Sequence, residues 1–269
     1  MPPSPITAFT EETDAIAAFL DTQLAKHGPA LFALEAAFKR WTVGDIVRHL
    51  HLFNLAAHWS LTDPERLRTF GAEAMPAIAE GGHVKLHRSW FSEQTDADIY
   101  AAWKAFLPAM IADFAATDPG TRVEWFGPPM SAESSLIARQ MEHWAHLQAV
   151  HDVLGVPRTN TDRLHPIAEL GVRTYSFAHR IRGMEPPKPK PHIRLTAPSG
   201  EVWEWNEPQE NNRIEGSATA FCQTVTQCRN WKDTDLIATG KTATTWMGIA
   251  QCFAGVAEQP PEAGKRLRL

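Results

Sequence analysis

The segment Arg139-Gln-Met-Glu142-His143-Trp144-Ala145-His146 sets a carboxylate and an imidazole four residues apart. On a helix such side chains leave one face about one turn apart, so Glu142 and His146 can chelate a single divalent cation. A catalytic metal of this kind takes a third protein ligand and keeps one position open. His49 is the natural third, on a separate helical segment, because bundles build metal sites from inward-pointing side chains on facing helices. His51 cannot share its direction, since two residues rotate a helical side chain by about 200°. By the same rotation His143 turns away from the Glu142 and His146 stripe and His151 lies nearly opposite Glu142, so both read as exposed or flanking. Spacing alone leaves an alternative open. Glu-x-x-x-His arises by chance in a chain with 12 histidines, and His49 then packs one turn inside its helix while Asp45 serves that helix's own N-terminus.

The elements that must carry these groups follow from apolar spacing and caps. Ile16, Phe19, Leu20 and Leu24 form one stripe of a helix from Thr10 to Lys26. Thr42, with Asp45 three residues on, opens a capped helix that runs through His49 towards Trp59 and is ended by Pro64. Met75-Pro76 and Gly81-Gly82 read as punctuation. Long helices are expected over Thr95–Ala116 and Ser131–Leu154, the latter closed by Gly155-Val156-Pro157. Four long helices joined by loops imply a bundle. A fifth helix is expected over Asp162–Arg182, followed by the stiff, proline-rich Met184–Pro191. Beyond it His192–Thr196 and Glu201–Trp205 alternate like a hairpin, Arg213–Glu215 pairs beside them, and Leu236–Thr239 makes a short strand. Ser217–Asn230 and Lys241–Phe253 read as helices. The fold class is α+β, with a helical bundle over 1–160, a helix and connector over 161–190, a small α+β domain over 191–258 and a flexible tail over 259–269.

Composition narrows the partners. With 269 residues, 43% hydrophobic and 21% charged, the chain can bury a sizeable core. Its formal charge of -5 offers no electrostatic footprint for nucleic acid. The longest stretch free of Asp, Glu, Lys and Arg, Thr242–Ala257, is too short for a bilayer crossing, and the start lacks the basic and apolar regions of a secretory signal. No membrane partner, a cytoplasmic location and a monomer or homodimer are expected. Cys222, Cys228 and Cys252 match no metal knuckle or redox pair and read as ordinary thiols. A phosphate loop, a dinucleotide fingerprint and a serine nucleophile elbow are all missing from the sequence.

Trp41-Thr-Val-Gly-Asp-Ile-Val-Arg-His49-Leu50, followed by Glu142-His-Trp-Ala-His146-Leu-Gln and Asp152-Val-Leu-Gly155, resembles the DinB-like metal-binding domain of the mycothiol-dependent maleylpyruvate isomerase family. The match covers residues 10 to 157. Asp162-Arg-Leu, Leu170-Gly-Val-Arg-Thr174, Arg182-Gly-Met-Glu-Pro-Pro187 and Leu195-Thr-Ala-Pro-Ser-Gly200 resemble a sister family of that isomerase, in which a small α+β domain follows the bundle. The resemblance implies a DinB-like four-helix bundle and a divalent metal, usually zinc, on His49, Glu142 and His146. It also implies a low-molecular-weight thiol. Two positions depart from the sister family: Ala149 and Asn54 stand where acids are common, which removes potential carboxylates around the metal.

A three-ligand zinc would deprotonate a coordinating thiol or activate a substrate oxygen, which suits isomerase, thiol-transferase or lyase chemistry on a small electrophilic substrate. His51, His58 and His151 are candidate proton carriers at such a site. Arg173 and Arg180, seven apart on the fifth helix, are candidate anchors for a substrate or thiol carboxylate. The same two histidines and one carboxylate also match the facial triad of non-heme iron(II) enzymes, and nickel would suit the donors too. A third reading makes the C-terminal module a lipid or small-molecule binder of the sterol-carrier type, its cavity lined by Trp203, Trp205 and Phe221.

Overall fold

The computed structural model describes residues 2–80 and 82–266. The chain divides into two compact units, one over Pro5–Leu154 and the other holding Gly155 onward together with the first few residues. The first unit contains α1 (Pro5–His27), α2 (Val43–Thr62), α3 (Pro64–Ala79), α4 (His83–Trp90), α5 (Asp96–Ala116), the two-residue strands β1 (Arg122–Val123) and β2 (Met130–Ser131), and α6 (Ala132–Val153). Helices α1, α2, α5 and α6 form the bundle, α2 running between α5 and α6 while α1 lies against α6. Phe9, Leu20, Ile46, Leu50, Trp103 and Leu147 are buried in its core.

Helix α2 starts as the sequence dictates. Thr42 Oγ1 accepts from the Asp45 amide at 3.1 Å, and Asp45 Oδ2 accepts from the Thr42 amide at 3.1 Å. The Asp45 carboxylate does a second thing: it receives both Nε and Nη2 of Arg88 at 2.8 and 2.9 Å. This fork clamps the N-terminus of α2 to α4. Burial opposes ionisation of Asp45, but Arg88 and Thr42 outweigh it and hold the carboxyl below its ordinary value. One turn away, Arg48 pairs with Asp96 at the start of α5. Gly44 makes that approach possible, because a Cβ there would lie 2.2 Å from Asp96 Oδ1.

Helices α3 and α4 depart from the expected punctuation. Pro76 sits in the last turn of α3, where its carbonyl still accepts from Glu80 at 3.1 Å, and Gly82 opens α4 with Leu86 and His87 buried. Helix α5 is long and apolar enough to cross a membrane by length and composition, with a mean hydropathy of 1.2, yet Ile99, Trp103, Leu107, Met110 and Phe114 are buried in the bundle.

In the second unit the expected fifth helix is two, α7 (His165–Arg173) and α8 (Tyr175–Arg180), parted at Thr174, where the backbone leaves helical geometry. The sheet holds β3 (His192–Thr196), β4 (Val202–Trp205), β5 (Arg213–Ser217) and β6 (Ile237–Thr239) in the order β4-β3-β5-β6. β3 and β4 form the antiparallel hairpin, with Ile193 opposite Trp205 and Leu195 opposite Trp203, and β3 runs parallel to β5. Two helices are shorter than the periodicity suggests: α9 (Ala218–Val225) stops before Gln227, whose φ is 57°, and α10 (Lys241–Met247) stops at Gly248. Gly171 brings α7 onto α9, since a Cβ there would lie 2.8 Å from Val225. Helix α7 packs on α9 within this unit, which holds Gly155 onward.

The expected flexible tail is tied down by hydrogen bonds as far as Arg266. Asn230 donates to the Pro261 carbonyl at 2.9 Å, the Gly264 amide donates to Asp233 at 2.8 Å, and Arg266 donates to the Gln227 carbonyl at 3.0 Å. Residues 267–269 of that expectation lie outside the described residues. The aromatics assigned to a lipid cavity pack as a core: Phe221 is buried against Trp246, Trp203 is buried edge-on to His165, and Trp205 donates to Glu169.

Candidate metal centre

Three ligand atoms from α2 and α6 converge. His49 Nε2 lies 3.4 Å from Glu142 Oε2, and His146 Nε2 lies 3.2 Å from the same oxygen. One donor atom from each of the three residues falls within 4.8 Å of the others. The helical offset of four brings Glu142 and His146 together, and the capped start of α2 sets His49 opposite them. A tetrahedral cation with bonds of about 2.0–2.1 Å would hold neighbouring donors about 3.3–3.4 Å apart, which matches the two separations from Glu142. Two imidazole nitrogens and a carboxylate oxygen are also the donor types such ions take.

The surroundings hold His49 and Glu142 in their binding-competent charge states. Burial keeps His49 neutral, well below its ordinary pKa, against the opposing pull of Glu142. Burial likewise disfavours the Glu142 carboxylate, but hydrogen bonds to His146 and His49 and the nearby Arg139 outweigh it, so Glu142 stays ionised well below its ordinary range. Arg139 is itself buried, its Nη2 4.0 Å from Glu142 and its guanidinium facing the Phe53 ring. Aromatic rings wall the site. Trp41 stacks on His146 with centroids 5.5 Å apart and meets His49 at 5.2 Å, Phe38 meets His146 edge-on at 4.9 Å, and Phe53 lies 4.8 Å from His49. They bury His49 and His146 and lower the local dielectric, while the Glu142 side chain keeps 23% of its surface open to solvent.

The three proposed proton carriers point elsewhere. His51 leaves α2 on the opposite side and stacks on Phe91 at 5.5 Å, where burial drops its pKa to about 4. His58 pairs with Asp113 of α5 at 2.6 Å, and His151 stacks on Phe19 of α1 at 3.8 Å. Arg173 and Arg180 are exposed on separate short helices, as befits solvated faces. His143 is fully buried, not exposed or flanking. Its Nδ1 donates to the Arg139 carbonyl at 2.7 Å, and its Nε2 accepts from Trp103 Nε1 and Asn54 Nδ2, both at 3.2 Å. Asn54 is thus a donor to a neutral imidazole, a role no carboxylate can fill. The cysteines are buried, and burial pushes the Cys222 thiol up, away from reactivity.

Two histidines the sequence reasoning passed over do reach the cluster. His87 Nε2 lies 3.3 Å from His49 Nδ1, and His83, half-buried, joins His49 and His87 within 4.8 Å. They stand four apart on α4, the same spacing that drew attention to Glu142 and His146.

A bundle with histidine and glutamate donors on facing helices, followed by a small α+β unit, defines a DinB-like protein. The mycothiol maleylpyruvate isomerase N-terminal domain model matches residues 13–151, and the chain belongs to that family. It is 37% identical over 227 residues to the uncharacterized proteins Rv0036c and MT0041 of Mycobacterium tuberculosis strains ATCC 25618 / H37Rv and CDC 1551 / Oshkosh, covering 84% of this chain and 85% of each relative. Among solved structures, a mutant of the mycothiol-dependent maleylpyruvate isomerase shares the fold with a TM-score of 0.51 at 14% identity, over 82% of this chain and 86% of that one.

Proposed function

We propose that this protein is a metal-dependent enzyme that uses a low-molecular-weight thiol to isomerise, or to transfer the thiol to, a small conjugated electrophile. The observation that carries the reading is the meeting of His49 Nε2 and His146 Nε2 on a single oxygen of Glu142, at 3.4 and 3.2 Å. His49, Glu142 and His146 would hold the cation, zinc being the natural occupant of this donor set. When bound, such a cation supplies Lewis acidity, which lowers the pKa of a coordinating thiol or water and polarises a carbonyl oxygen. Family membership supports the thiol and the isomerase class.

The chain's own residues do the rest. Glu142, ionised, supplies the only carboxylate of the donor set and so fixes its net charge. Hydrogen bonds from His146 and His49, with Arg139 behind the carboxylate, keep it from taking a proton. Trp41, Phe38 and Phe53 pack on the two histidine donors and offer flat apolar walls to a planar, conjugated substrate. The buried cysteines leave the nucleophilic sulfur to a diffusible thiol.

The test is turnover of a panel of small cis-configured unsaturated oxo acids, followed by loss of ultraviolet absorbance. Turnover should require both zinc and a thiol and should vanish in His49→Ala and Glu142→Ala. Turnover by either variant at the wild-type rate, or without thiol, would contradict the reading.

A further inference from the structure

Helix α4 is anchored beside the site by the Arg88–Asp45 fork, one residue after His87. His87 is fully buried and its Nε2 meets His49 Nδ1 at 3.3 Å, while its own Nδ1 has no hydrogen-bond partner. Two imidazole nitrogens at that distance share one hydrogen, so the tautomer of one ring sets the tautomer of the other.

With no cation, ionised Glu142 accepts from the Nε2–H of His49. His49 Nδ1 is then a bare acceptor, and His87 Nε2 must be the donor. A cation on His49 Nε2 needs that nitrogen's lone pair, which moves the ring hydrogen to Nδ1. His87 Nε2 must now accept, and its hydrogen sits on its own Nδ1. Each state holds two ring hydrogens, relocated by exchange with water, so the count balances. His87 can serve in both because its Nδ1 is tied to neither a donor nor an acceptor. A backbone carbonyl in its place would accept only, and would suit the filled state alone.

The proximity of His83 also suggests a second cation on His49 Nδ1, His83 and His87. That would require His49 to lose both hydrogens and bridge two dications beside a single carboxylate, with Arg139 adding a further positive charge. Charge repulsion disfavours it.

We infer that His87 is a positioning residue that presents the correct nitrogen of His49 to the cation, donating to His49 in the empty site and accepting from it in the filled one. The inference rests on the metal reading above. It is tested with zinc titrated against a chromophoric chelator in wild-type protein, His87→Gln and His87→Asn. The Gln amide reaches where Nε2 stood and can both donate and accept, whereas the shorter Asn amide reaches only where Nδ1 stood. Zinc affinity should fall about 10–100-fold in His87→Asn and stay within about threefold of wild type in His87→Gln. In 15N-histidine-labelled wild type, NMR should show His49 protonated on Nε2 without zinc and on Nδ1 with it. Equal affinities of the two variants, or a His49 already protonated on Nδ1 without zinc, would overturn the inference. Wild-type protein that takes up no zinc would instead overturn the metal reading on which it rests.

Discussion

Asp45→Ala removes one carboxylate that serves two helices at once, and the cost can be worked from its partners. The Thr42 amide and hydroxyl lose an acceptor at 3.1 and 2.9 Å, the reciprocal half of a helix cap, which is worth about 1 kcal/mol. Arg88 loses both bonds of its fork, but its side chain is 57% exposed and returns to water, so this part is worth at most about 1 kcal/mol. The sum, about 2 kcal/mol, lowers the melting temperature of a chain this size by about 4–8 °C. Arg88→Ala should cost only its own share. The pH dependence has a definite sign. Asp45 has its folded pKa held below the ordinary 3.8, so its stabilisation is full above that value and is lost as pH falls through the folded value. The gap between wild type and Asp45→Ala in thermal melts should therefore be constant from pH 8 to 5 and close only in strong acid. An Arg88→Ala variant that costs as much as Asp45→Ala, or a gap that widens on acidification, would refute the reasoning.

Three further outcomes follow from the buried histidines and Asn54. His51→Phe keeps the stack on Phe91 and removes a buried nitrogen without a partner, so it should leave bound zinc unchanged and raise the melting temperature; loss of zinc would show that His51 serves the site after all. Asn54→Asp takes away a donor to His143 and should cost about 1–3 kcal/mol in urea unfolding at pH 7, whereas a neutral effect would mean that His143 is not held neutral by its neighbours. His51, His87 and His143 have pKa values lowered to about 4, 3 and 3, chiefly by burial. Below pH 6.5 the unfolded chain binds protons that the folded chain refuses, so each should withdraw about 2 kcal/mol of stability by pH 5, and replacing any one of the three with a non-titrating residue should lower the calorimetric proton uptake on acid unfolding by about one.

The parts of the fold that could be read from the sequence are those set by local rules. The capping box at Thr42 and Asp45 and the Gly155-Val156-Pro157 stop are chemistry within a few residues, and α2 and α6 begin and end beside them. The convergence of His49 with Glu142 and His146 was accessible because both segments carry helical spacing, and the family resemblance named the same residues. Helices α3 and α4 were hidden because Pro76 falls in a last helical turn, where it breaks nothing, and because Gly82 serves as the entry to a helix. With α4 unread, His83 and His87 stayed out of sight. The burial of His143 was hidden for another reason. Its partners Trp103 and Asn54 come from two other helices, and no spacing within α6 reveals them. The contacts of His51, His58 and His151 with Phe91, Asp113 and Phe19 were hidden in the same way, since each partner comes from outside the helix that carries the histidine.

The most direct test of the central claim is elemental analysis of protein purified without a tag, with Glu142→Ala prepared in parallel. One equivalent of a divalent transition metal, predominantly zinc, is expected in the wild type, with near-complete loss in a Glu142→Ala variant that still melts cooperatively. A folded wild type devoid of metal even after incubation with zinc, or a variant that retains the full equivalent, would contradict a cation held between His49, Glu142 and His146.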